Sequence, residues 1–187
     1  AAPTSQAPFT VRVQGRISQG VTGMRLAQGD SVIGMIVTDD FDTSVLTISK
    51  FGMAKRSRLG SGEMIPLEGE FDENGGQNFE RDGYRKTNRG TKGVRTMSLR
   101  EGDQIVSVRQ IPDLGDQLFM LTGTGMMIRM AAAQTKETLG KVTKGTRIME
   151  LRNSDRTGYV DEIVFVARLP SELADPMDAT ATVDEEE

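Results

Sequence analysis

The sequence predicts an all-β chain built as a propeller-like array, about three blades of roughly four antiparallel strands each. Three observations predict it. First, residues 16–57 align with residues 89–130 without a gap at an offset of 73, and eleven of the 42 positions are identical. Second, within each copy short apolar runs alternate with turn signals every few residues, the signature of strands rather than helices. Third, a further copy opens at residue 140, where Gly145, Met149, Leu151 and Asp155 keep the spacing of Gly20, Met24, Leu26 and Asp30. One such unit cannot bury its own sheet face, so units must stack.

The elements follow in order within each unit. Residues 21–26 and 94–99 alternate apolar and polar, the period of a half-buried strand. The turns QGD and EGD then lead into SVIGMIV (31–37) and QIVSVRQI (104–111), which read as buried strands. A third strand, SVLTI (44–48) or QLFML (117–121), turns at Gly52 or Gly125 into MAKRS (53–57) or MIRMA (127–131). The third unit departs after its opening, with RTGYVDE ahead of IVFVARL (163–169). Helix finds support only at AAAQTKETL and SELADPM, enough for a turn or two. The boundaries expected are a lead at 1–8, blades at 9–58, 84–132 and 133–169, and an acidic tail at 170–187. The glycine-rich, acidic segment 60–83 has no clear periodicity and reads as a long surface loop.

Composition removes several function classes. With no Cys and no His, the chain lacks thiolate nucleophiles, imidazole bases and the usual zinc ligands, so an enzyme is disfavoured. No metal and no cofactor of its own are expected. No stretch reaches the roughly 18 apolar residues of a membrane span, and the opening AAPTSQAPFT has no signal-peptide pattern. The lack of Cys fits a reducing compartment.

The net charge of −4 conceals a segregation. Seven acidic residues and no basic one lie in the tail, and seven more lie between Glu63 and Asp82 against Arg81 alone. Outside those two segments 22 basic residues face 13 acidic ones. The basic residues recur by unit: Arg16, then Arg89 and Lys92, then Lys141 and Lys144 in the opening loops, with Arg85 and Lys86 beside the second. The last strands add Lys55, Arg56 and Arg129. Stacked units turn repeated charges into a stripe, and the loop glycines Gly20, Gly90, Gly93 and Gly145 let backbone amides approach an anion. Arg offers a planar fork to phosphate and Lys a point charge. The pattern suits double-stranded DNA, while a solvated charged surface is the plainer alternative for any single cluster. Few aromatic residues fall at loop tips, which disfavours single strands and RNA. GTKGV lacks the spacing and helix of a nucleotide loop. Asp30, Asp103 and Asp155 read as turn caps, and the methionines as core filling.

The stretches GRISQGVTGMRL, SKFGMAKRS, YRKTNRGTKG, LTGTGMMIRM and GKVTKGTRIMEL, followed by VFVARLP and an acidic tail, resemble the C-terminal domain of DNA gyrase A over residues 9–169. The resemblance implies a β-pinwheel, in which strands are exchanged between blades and DNA wraps around a basic rim. It implies a role inside an ATP-dependent type IIA topoisomerase, beside the breakage-reunion core and gyrase B, with ATP and Mg used elsewhere in the assembly and a cytoplasmic, nucleoid-associated or organellar setting. The family's Arg- and Gly-rich box is not found here, and Thr91 stands where the repeat commonly has Gly. Topoisomerase IV shares the architecture, and a protein-binding propeller is the reading from another class. The tail Asp184, Glu185, Glu186 and Glu187 is expected to compete with DNA for the stripe.

Overall fold

Hairpins organise the chain. The computed structural model describes residues 11, 13–138, 143–154 and 157–174. Among these it contains β1 (Ser44–Ser49), β2 (Met53–Arg58), β3 (Met64–Phe71), β4 (Gln77–Arg81), β5 (Ile105–Ile111), β6 (Gln117–Thr122), β7 (Met127–Ala131), β8 (Thr146–Arg147) and β9 (Ile163–Leu169). Two single 3-10 turns, Ala132–Gln134 and Ser171–Leu173, fall in the two stretches with any helical character. No helix among the described residues is long and apolar enough to cross a membrane.

The first two units each contribute a hairpin, and strands of later units complete its sheet. The β1–β2 hairpin of the first unit sits in a four-stranded sheet of order β5-β1-β2-β8, so one edge strand comes from the second unit and the other from the third. The β6–β7 hairpin of the second unit takes β9 of the third in a sheet of order β7-β6-β9. The correspondence extends to defects. Register shifts between Ile48 and Ser49 against β5, and between Leu121 and Thr122 against β9, which are aligned positions. A bulge bends its strand and increases twist, so it recurs where the blade recurs. One buried cluster, including Leu46, Ile48, Ile111, Leu118, Met120, Ile163 and Val166, joins the two sheets. Arg109 Nη2 donates to the carbonyl of Val166 at 2.6 Å, holding β5 beside β9.

Strand exchange accounts for a predicted strand that does not form. SVIGMIV aligns with β5, yet residues 31–37 join no sheet, and Val32, Met35 and Val37 are 69%, 83% and 81% exposed. By the rule the other two units obey, this segment would complete the hairpin of a preceding unit, and no such hairpin is among the described residues. It instead lies against β5: a Cβ on Gly34 would stand 2.9 Å from Val108 Cγ1, and Gln110 Nε2 donates to Thr38 Oγ1 at 2.9 Å. The predicted strands 21–26 and 94–99 are also reduced, to the parallel bridges Met24–Thr91 and Met97–Thr143.

The acidic segment is a hairpin where the sequence suggests a loop. β3 and β4 pair from Met64–Arg81 to Phe71–Gln77. Asp72 Oδ1 accepts the amides of Asn74 and Gly76, closing the turn through the side chain. Most of its side chains stay exposed on both faces. Alternation reports a buried face, and a ribbon wetted on both sides has none to report.

Candidate nucleic-acid interface

Each later opening loop lies against the segment that follows the previous unit's opening loop. Thr91 bridges Met24, and the amide of Arg25 donates to the Thr91 carbonyl at 3.0 Å. One unit later Thr143 bridges Met97, and the amide of Ser98 donates to the Thr143 carbonyl at 2.9 Å. The same contact therefore links unit one to unit two and unit two to unit three. Basic residues recur in the opening loops of these linked units. Arg16, Arg89, Lys92 and Lys144 are all exposed, and Lys141 lies outside the described residues. Arg85 and Lys86 are exposed beside the second loop, with Lys86 Nζ 5.8 Å from the ring centre of Phe41.

The glycines hold these loops in shapes that other residues resist. Gly20, Gly90, Gly93 and Gly145 all have positive φ. Gly145 is doubly required: at φ +73° it also lies so close to β2 that a Cβ would stand 2.3 Å from the Ala54 carbonyl oxygen. Only a residue without a side chain fits that approach.

Two of the predicted phosphate ligands turn inward. Arg56 is 8% exposed: its Nε donates to the Thr135 carbonyl at 2.9 Å, and Nη1 bonds Ser44 Oγ and pairs with Glu137 Oε2 at 2.8 Å. Lys55 is 2% exposed, with Nζ donating to the Thr96 carbonyl at 2.8 Å, and burial lowers its pKa. Both are withdrawn from any outer rim because the segments 94–97 and 135–138 cross their strand. Arg129, aligned with Arg56, stays exposed, its guanidinium carbon 5.4 Å from the Phe119 ring centre. The tail carboxylates Asp184–Glu187 lie outside the described residues.

Carboxylates in the body serve turns and ion pairs. Asp103 Oδ1 accepts the amides of Phe51 and Gln104, and Asp161 Oδ1 accepts those of Thr124 and Glu162. Asp161, rather than the expected Asp155, thus occupies the third unit's counterpart of Asp103; Asp155 is outside the described residues. The inserted RTGYVDE displaces the match. Hydrogen bonds from the Thr122 and Thr124 hydroxyls hold the Asp161 carboxyl down to about 2. Glu150 is likewise lowered to about 2, first by the Arg152 side chain and then by Arg147. Arg58 bridges Asp82 at 2.8 Å and Asp42 at 2.7 Å, tying the acidic hairpin to β2.

The family model "DNA gyrase C-terminal domain, beta-propeller" matches residues 10–39, 43–61, 79–112 and 116–157. This chain belongs to that family. Among curated relatives, the DNA gyrase A protein of Campylobacter fetus is 30% identical over 173 residues, covering 91% of this chain and 16% of the relative. The DNA gyrase A protein of Helicobacter pylori (strain J99) is 28% identical over 163 residues, 87% of this chain and 16% of the relative. The chain thus spans about a sixth of these relatives' length. Among solved structures, the C-terminal domain of E. coli ParC matches with a TM-score of 0.50 at 17% identity, over 79% of this chain and 49% of that one, a likeness of fold. The exchanged strands, the repeated loop contacts and the positive-φ glycines are therefore features of a DNA gyrase C-terminal domain.

Proposed function

We propose that this gyrase C-terminal domain binds double-stranded DNA along its opening loops and wraps it, presenting a duplex crossing of fixed hand to a supercoiling holoenzyme. One observation carries the reading: the repeated Thr91 and Thr143 contacts join each cationic loop to the unit before it in the same way. Wrapping needs such an array. Smoothly bending a duplex by 40–90° over a few helical turns costs on the order of 1–6 kcal/mol, and only contacts spread along the bend offset it. Phosphate contacts carry no sequence information directly, so little sequence preference is expected. Cleavage and ATP-driven strand passage belong, on this reading, to the breakage-reunion core and gyrase B, with which the domain works in the cytoplasm. The acidic tail competes with DNA for the loops.

The test is to incubate the protein with relaxed plasmid and a nicking-closing topoisomerase, then read linking number on a gel. A dose-dependent shift that fades with added salt is expected. Binding without any shift would remove wrapping from the account. Absence of binding at low salt would favour a protein partner for these blades.

A further inference from the structure

The β5-β1-β2-β8 and β7-β6-β9 sheets stack in one sense. Directly opposed residues of an antiparallel pair share a face. Leu46, Ile48 and Ala54 therefore lie on one face of the first-blade sheet, and Leu118, Met120, Ile128 and Val166 on one face of the second-blade sheet. These faces are not equivalent, since Leu46 and Ile48 align with Phe119 and Leu121 on the other side of β6. The cluster that joins the sheets thus sets the front of blade one against the back of blade two.

Each end of this stack leaves an apolar surface in water. On the front of blade two, the row Met127, Leu121 and Phe165 is 66%, 36% and 57% exposed. Its counterparts in blade one, Ala54, Ile48 and Ser107, are buried. The back of blade one carries Lys55 and Ser57 where the back of blade two carries Ile128 and Met130. Over part of that polar back lies the run 31–38, with Gly34 against Val108 and Thr38 bonded to Gln110. The run exposes Val32, Met35 and Val37. Exposed apolar patches of this kind mark contact surfaces. Charge also complements: Arg129 stands on the front of blade two beside Phe119, and exposed Asp39 and Asp40 follow the run.

We propose that the two surfaces are halves of one contact between copies of this chain, in which the front of blade two in one copy takes the run 31–37 of a second copy. The contact repeats between molecules the sense of stacking already used within one, with 31–37 supplying the apolar surface that the back of blade one lacks. It is heterologous, so each copy keeps one unused end at which a further copy can add. The proposal does not rest on the DNA reading, since none of the loop cations takes part.

Sedimentation equilibrium of the whole chain, without DNA, tests it. The weight-average mass should rise with concentration. Met127→Glu spoils one surface and Met35→Glu the other; each places an unpaired charge in the contact and should weaken association at least about tenfold. Both side chains are exposed, so neither substitution should lower the melting temperature of the monomer. An equimolar mixture of the two variants decides the geometry. The intact run of Met127→Glu meets the intact sheet of Met35→Glu, so a one-to-one complex should form that neither variant gives alone. A mixture that stays monomeric would overturn the head-to-tail contact. Association indifferent to either substitution would overturn it as well. A wild-type chain that is monomeric at every concentration would overturn it and leave both surfaces to a different polypeptide.

Discussion

The β1–β2 and β6–β7 hairpins share a register, a bulge and an arginine, yet Arg56 is a buried structural cation and Arg129 a surface one. The difference lies outside the hairpins. Segment 135–138 runs along β2, with the Thr138 amide donating to the Arg56 carbonyl at 2.9 Å and Glu137 supplying the counter-ion. No described segment crosses β7 in that way. In an exchanged-strand array a residue's role is thus set by what the next units lay over it, as much as by its place in the repeat.

The largest expected effect breaks this contrast at the arginines. Arg56→Ala strands Glu137 and leaves the Thr135 carbonyl without its donor, and should destabilise the domain by about 3 kcal/mol. Arg129→Ala should change stability by less than about 1 kcal/mol. Paired urea denaturation curves check both, and equal losses would show that the two hairpins are covered alike.

A smaller contrast lies in the glycines. Gly145→Ala must both strain a positive φ and displace the Ala54 carbonyl, and should cost more than about 2 kcal/mol. Gly20→Ala, with nothing within 4 Å of the added Cβ, should cost about 1 kcal/mol from its φ alone. Thermal melts of the two variants read the difference.

The smallest effect concerns acid. Asp161 is depressed to about 2 by the Thr122 and Thr124 hydroxyls, and Phe51 replaces Thr124 at the aligned place in blade one. Because the folded value lies below the ordinary carboxylate near 3.9, its contribution is present above about pH 4 and lost as pH falls toward 2. Carboxyl NMR titration should show Asp161 rising part of the way toward its ordinary value in Thr124→Ala, while an unchanged titration would assign the depression to the Thr122 hydroxyl and the backbone amides.

The repeat makes much of this legible. The hairpins β1–β2 and β6–β7 and the strands β5 and β9 fall where apolar runs and turn glycines put them. What escapes depends on neighbours. The run 31–37 reads as a buried strand because it aligns with β5, yet among the described residues no hairpin is there for it to complete. The β3–β4 ribbon buries neither face, so no alternation announces it. Lys55 and Arg56 read as rim cations because a basic strand looks the same whether or not another segment crosses it. Asp161 is hidden by the insertion that shifts the third unit's spacing.

The central claim is that the loop cations, rather than the hairpin cations, hold DNA. The direct measurement is duplex affinity against salt, for the wild type and for Arg16→Gln, Arg89→Gln, Lys92→Gln and Lys144→Gln combined. Each phosphate contact contributes about 0.9 to the slope of log K against log salt, so four lost contacts should flatten that slope by about 3 to 4. An unchanged slope, with the variant folded, would contradict the account and return these loops to ordinary solvated surface.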